Sequence, residues 1–98
     1  MNEKYYSLIP FDYMEEGMRQ WIEHGIRPGS FLMAVLENDL MRAVSNADAS
    51  NRLALYEWCD WLYNYPPSSC WGSIEKCNAW ADHRGLKGGE DAPQDETS

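Results

Sequence analysis

The sequence predicts an all-α fold, a small bundle of about four helices, and three observations carry that prediction. Apolar residues recur at spacings of three and four in several stretches, as on one face of a helix. Each stretch is preceded by a capping residue and followed by glycine or proline. Hydrophobic residues make up 44% of the 98 and aromatics 13%, with five Trp and six Tyr, enough to fill one core but not two. A single domain is expected over residues 1–87, with residues 88–98 as a disordered acidic tail.

The elements follow in order. Tyr5, Tyr6, Leu8 and Ile9 lead in to Pro10 as an extended N-terminal arm lying across the helices. Asp12 and Glu15 have the spacing of a capping box, so a first helix starts there. Met14, Met18, Trp21 and Ile22 share one stripe of it, and Glu15 and Arg19 pair on another. His24 suits the last turn, Gly25 supplies a left-handed stop onto which Ile26 folds back, and Pro28-Gly29 turns the chain. Ser30 then caps a second helix over 31–44, whose apolar residues Leu32, Val35, Leu36, Leu40, Met41 and Val44 make it the central one.

In that second helix Asn38 and Asp39 fall on the polar side at mid-helix, although both are poor helix formers. Two roles are open to them: a polar network with the Pro66-Pro67 loop or the amides before Ser73, or contact with a ligand. After the polar stretch 45–51, Asp48 or Ser50 caps a third helix to about residue 63. It is apolar on two sides, since Leu53, Tyr56, Cys59 or Asp60, and Tyr63 trace one line and Leu55, Trp58, Trp61 and Leu62 another. Pro66-Pro67 stops it, and Ser73 caps a fourth helix containing Ile74, Cys77, Trp80 and Ala81, ended by Gly85.

Composition narrows function by exclusion. Sixteen acidic against eight basic residues give a net charge of −8, so a nucleic-acid backbone is repelled and direct nucleic-acid binding is not expected. Half of that charge lies in the tail, which leaves the body moderately acidic. The longest purely apolar run is six residues, 31–36, and no signal-type segment opens the chain, so a cytoplasmic protein that does not engage membranes is expected. Cys59, Cys70 and Cys77 are odd in number and are expected as reduced thiols. With His83 they are separated by 11, 7 and 6 residues, which matches no structural zinc motif. Neither His24 nor His83 has a recognisable nucleophile and orienting carboxylate, and the glycines serve helix ends rather than a phosphate loop. No cofactor and no enzymatic activity are therefore expected.

The informative surplus is aromatic. Trp58, Trp61, Tyr63, Tyr65, Trp71 and Trp80 fall within 23 residues, beside Pro66-Pro67. They can form one core wall, or some can face a partner, since Trp and Tyr dominate interface hot spots. The surface taken as the candidate interaction site comprises Trp58, Trp61, Tyr65 and Trp71 with Glu57 and Asp60.

Two blocks add a resemblance. Residues 21–32 (WIEHGIRPGSFL) with 34–40 (AVLENDL), and 61–64 (WLYN) with 67–76 (PSSCWGSIEK), resemble a family of small proteins encoded by tailed bacteriophages, over roughly residues 9–85. The resemblance brings no catalytic residues to carry over. It implies expression in the cytoplasm of an infected bacterium and a role in host takeover or in disabling defence. The expected function is then binding of a host or phage protein through the aromatic and acidic surface. The alternative is an acidic mimic, in which Glu37, Asp39, Glu57, Asp60 and the tail block a DNA- or RNA-binding defence protein. Either is compatible with a homodimer, the commonest oligomer.

Overall fold

A computed structural model describes the backbone of residues 1–91 and the side chains of residues 1–88. Among the described residues all regular structure is helical, in eight α-helices and two single 3₁₀ turns. The all-α class holds, while the count of about four helices does not, because two of the expected helices are each broken in two and both ends of the chain add one.

The lead-in is not an extended arm. Residues Glu3–Tyr6 form α1, where the Asn2 side chain caps by accepting from the Lys4 amide at 2.8 Å. Tyr6 and Ile9 are buried from this end. The expected capping box is also absent: Asp12–Met14 is a 3₁₀ turn with no side-chain cap, and Glu15 instead binds Arg19 at 2.6 Å. Helix α2, Glu15–His24, buries Met18, Trp21 and Ile22 as the spacing predicts. Gly25 ends it at φ 71°, with its amide on the Trp21 carbonyl and the Ile26 amide on that of Gln20, the doubled bond of a left-handed glycine stop.

Helix α3, Ser30–Leu36, has Gly29 rather than Ser30 at its N-cap, and Phe31 through Leu36 are all buried. It does not continue to residue 44. Asn38 takes φ 62°, a left-handed conformation that Asn tolerates better than most residues. Asp39 then caps α4, Leu40–Asn46, by accepting from the Arg42 amide at 3.1 Å. The two residues that looked out of place at mid-helix are the break itself, and Asp39 bonds Arg42 rather than the Pro-Pro loop or the amides before Ser73. Resetting the helix there turns α4 so that Ala43 is buried while Leu40, Met41 and Val44 are exposed.

Asp48 caps α5, Ala49–Leu53, at 2.8 Å from the Asn51 amide, and Ala54 at φ −98°, ψ 8° separates it from α6, Leu55–Asn64. A 3₁₀ turn, Ser68–Cys70, leads to α7, Ile74–His83, whose Ser73 cap accepts from the Lys76 amide at 3.1 Å as expected. Arg84 and Gly85 both have positive φ and turn the chain into α8, Gly85–Asp91, which packs along α2. A Cβ on Gly85 would lie 2.6 Å from the Ile22 carbonyl oxygen, so the close approach of α8 to the end of α2 requires glycine. Residues 88–91 of the expected tail belong to α8, and its remainder, 92–98, lies outside the described residues.

Four indoles tie these short elements together. Trp21 donates to the Cys70 carbonyl at 3.1 Å and Trp80 to that of Trp21 at 2.9 Å, joining α2, the second 3₁₀ turn and α7. Trp58 donates to the Asn51 side-chain oxygen at 3.1 Å, and Trp61 to the Tyr5 carbonyl at 2.8 Å, joining α6 to α5 and to α1. Buried aromatics of this size remove ~150–250 Å² each from water, about 4 to 6 kcal/mol of transfer free energy apiece. Satisfying the N–H internally avoids the desolvation penalty that would offset part of it.

Candidate docking surface

Trp58 and Trp61, expected on the interaction surface, are 0% and 2% exposed and sit in the core. The correction has a plain cause: each ring fills interior volume and each N–H has an acceptor inside the fold, so nothing draws it to solvent. Tyr65 is half-buried, its ring 5.0 Å from that of Tyr5 and 6.2 Å from that of Trp61. Trp71 is also half-buried, and its indole nitrogen is shielded without a hydrogen-bond partner. Glu57 and Asp60 are exposed on α6, where the Asn64 amide donates to the Asp60 carbonyl and carboxylate at 2.8 and 3.2 Å. The structure thus does not bring the six residues together as one surface: Trp58 and Trp61 are interior, Tyr65 and Trp71 half-buried, and Glu57 and Asp60 exposed.

A different apolar face is open. Leu40 and Met41 on α4 are 60% and 76% exposed, and Val44 is exposed one turn on. Leu53 at the end of α5 and Tyr56 and Tyr63 on α6 are 75–87% exposed. Between α4 and α6 runs a shallow cleft of about 50 Å³, lined by Val35, Asn38, Asp39, Leu40, Ala43, Leu55 and Cys59. Asn38 and Asp39 therefore reach the site after all, as its polar end. On α6 at 100° per residue, Leu55 and Cys59 face the cleft, Tyr63 and Tyr56 come next around the helix, and Asp60, Asn64 and Glu57 form the far flank.

The charges divide unequally. Arg42 binds Glu37 at 2.6 Å and Asp39 at 3.4 Å, and the hydrogen bond to Glu37 raises the pKa of its guanidinium further. Glu57 and Asp60 have no cation of the described residues within 4 Å. Desolvation pushes the Cys59 thiol upward, so its thiolate is scarce at neutral pH. Cys70 and Cys77 are wholly buried, with thiols raised by that burial to about 12 and about 11.

Other concavities offer less chemistry. A wider one of about 310 Å³ is lined by Ser69, Ala79, Trp80 and His83, and the His83 Nδ1 already lies 3.0 Å from the Gly85 carbonyl oxygen. Among the described residues no three His, Cys, Asp or Glu side chains converge as metal ligands, and no helix is long and apolar enough to cross a membrane.

Sequence reasoning missed Leu40, Met41 and Val44, assigned to the core of an unbroken helix, and left Leu53, Tyr56 and Tyr63 without a role. The signal for the latter was present in the two apolar lines of the third helix, only one of which a single core can absorb. The signal for the former was Asn38-Asp39, a helix stop read as a helix interior. No protein-family model, curated protein or solved structure matches this chain.

Proposed function

We propose that this protein acts without catalysis, by binding another protein through the α4–α6 face, and that it does so as a phage accessory protein in the cytoplasm of an infected bacterium. The observation that carries the reading is the number of large apolar side chains left exposed on α4, α5 and α6, namely Leu40, Met41, Leu53, Tyr56 and Tyr63, with Leu40 itself lining the cleft. Soluble domains seldom leave such a patch open unless something binds it. The cleft volume of about 50 Å³ is small beside the ~300–1,000 Å³ of small-molecule sites and suits one side chain of a partner. The phage setting rests on the two sequence blocks.

Acidic mimicry draws less support. It needs Glu37, Asp39, Glu57 and Asp60 as free charges, and Arg42 holds the first two. The test is affinity capture from bacterial lysate with wild-type protein and with Leu40→Asp/Met41→Glu, both washed at low and high salt. The expected partner survives high salt on the wild type and is lost from the double variant, whose melting temperature stays close to wild type. A nucleic-acid-binding protein released by salt and indifferent to the substitutions supports mimicry instead.

A further inference from the structure

We infer that α1 is a latch seated in a peptide-recognition site of the body, and that a partner segment of the same chemistry takes that site in its place: one helical turn with a carboxylate at its first position and tyrosine-like rings at its third and fourth. Four groups of the body each meet a different part of the turn. The Arg19 guanidinium binds both carboxylate oxygens of Glu3, one of them at 2.8 Å, and lies over the Tyr6 ring, 4.2 Å from its centre. The Glu23 carboxylate accepts from the Tyr6 hydroxyl at 3.0 Å. The Trp61 indole donates to the Tyr5 carbonyl at 2.8 Å, and the Tyr65 ring lies 5.0 Å from that of Tyr5. A fixed charge, an acceptor, a donor to the main chain and an aromatic face in one place are the means by which short-peptide sites read sequence. On α6 Trp61 stands two residues, about 200°, from Cys59, so the site is on the side away from the α4–α6 cleft and its occupancy does not depend on that face.

The turn is able to leave as a unit. Among the described residues the backbone–backbone hydrogen bonds of residues 2–9 close within that segment, from Tyr5 to Asn2, Ser7 to Glu3, Leu8 to Tyr5 and Ile9 to Tyr6, so lifting it breaks no main-chain pairing with the body. A single turn has no helical stability of its own, and chain ends are the first parts of a fold to open. Burial of Tyr6 and Ile9 holds the segment down, and the Glu3 end of its ion pair is 77% exposed. When Glu3 leaves, Arg19 keeps Glu15 at 2.6 Å and stays in position for another carboxylate. As a tethered ligand α1 stands at an effective concentration of roughly millimolar. The α1 of a second copy brings the same contacts without the tether and loses to it. A foreign turn displaces α1 by adding contacts, and the open edge beside Glu3 has room for them.

The test uses the full chain and reads the Trp61 indole N–H, whose acceptor is on α1. Glu3→Arg sets two guanidinium groups against each other without disturbing a buried side chain. It is expected to speed exchange of that N–H by about tenfold while the amides of α3 and α7 keep their protection. Glu3→Gln, the milder change, is expected to act in the same direction and serves if the charge reversal unfolds the protein. A peptide of residues 1–10 (MNEKYYSLIP), added to the Glu3→Arg protein at millimolar concentration, is expected to restore the protection. The same peptide carrying Glu3→Lys or Tyr6→Ala is expected not to. Unchanged Trp61 exchange in both protein variants overturns the latch, and an open latch that no peptide re-covers overturns the recognition site. Equal restoration by the Glu3→Lys peptide overturns the acidic half of the ligand. A wild-type dimer in sedimentation that dissociates when α1 is loosened overturns the foreign partner in favour of α1 exchanged between copies. The capture experiment with Leu40→Asp/Met41→Glu reads the other face, so either reading can fail while the other stands.

Discussion

A tryptophan and a tyrosine five residues apart on α6 have opposite fates, and the difference is measurable. Trp58 is wholly buried and hydrogen-bonded to Asn51, whereas Tyr63 is 80% exposed. Trp58→Ala should destabilise the fold by about 3–5 kcal/mol, through lost transfer free energy and the cavity left behind. Tyr63→Ala should move stability by no more than about 0.5 kcal/mol. Urea unfolding of the two variants checks both, and a mild Trp58→Ala would contradict its place in the core. Asn51, a buried polar residue, has two partners: its side chain accepts from the Trp58 indole while its own amide donates to Asp48.

At the scale of elements, short helices need ends, and this chain specifies them with single side chains. Asp39→Ala removes the cap of α4 and should cost about 1 kcal/mol. Its more specific consequence is fraying of the helix that carries Leu40 and Met41, seen as faster amide exchange over Leu40–Asn46 with α3 unchanged. At the other end, Arg19 ties α1 to α2 by donating to Glu3 at 2.8 Å and to Glu15 at 2.6 Å, with its guanidinium 4.2 Å over the Tyr6 ring. The hydrogen bond from Arg19 holds the Glu3 carboxyl below its ordinary value of 4.5. A depressed carboxylate favours the folded state above that ordinary value and loses the contribution as pH falls through the lowered one. The N-terminal helix should therefore loosen before the core does as pH falls from 4.5 through the lowered value, which exchange of the Trp61 indole N–H, bonded to Tyr5, reports directly.

The Gly25 stop of α2, the Asp48 cap of α5, the Ser73 cap of α7 and the stripe of Met18, Trp21 and Ile22 were legible in the sequence because capping and helical period act over four residues. The break at Asn38 was written there too, but its outcome was not: period alone continues a helix through any residue that can be solvated.

For the whole molecule the buried thiols give a signature of global unfolding. Burial raises Cys70 to about 12 and Cys77 to about 11, against an ordinary value of 9.0 that the unfolded chain regains. Groups raised in the folded state stabilise it fully below the unfolded value, and that contribution is lost as pH rises toward the folded one. Melting temperature under reducing conditions should accordingly fall from about pH 9 upward, and less steeply in Cys77→Ala. Under native conditions maleimide should label one thiol per chain, Cys59, and in denaturant all three. Labelling of two or three in the folded protein would contradict the core that Trp21, Cys70 and Cys77 share.

By itself the sequence determined that the chain is helical, where several caps and stops lie, that it is rich in aromatics and that it carries excess negative charge, because local spacing and composition act without reference to the rest of the fold. Only the tertiary structure decided which aromatics are inside. Trp58 and Trp61 are buried because acceptors at Asn51 and Tyr5, distant or polar in sequence, close on them. Leu40 and Met41 are outside because a left-handed Asn38 turned their helix, which no count of apolar residues along the chain contains.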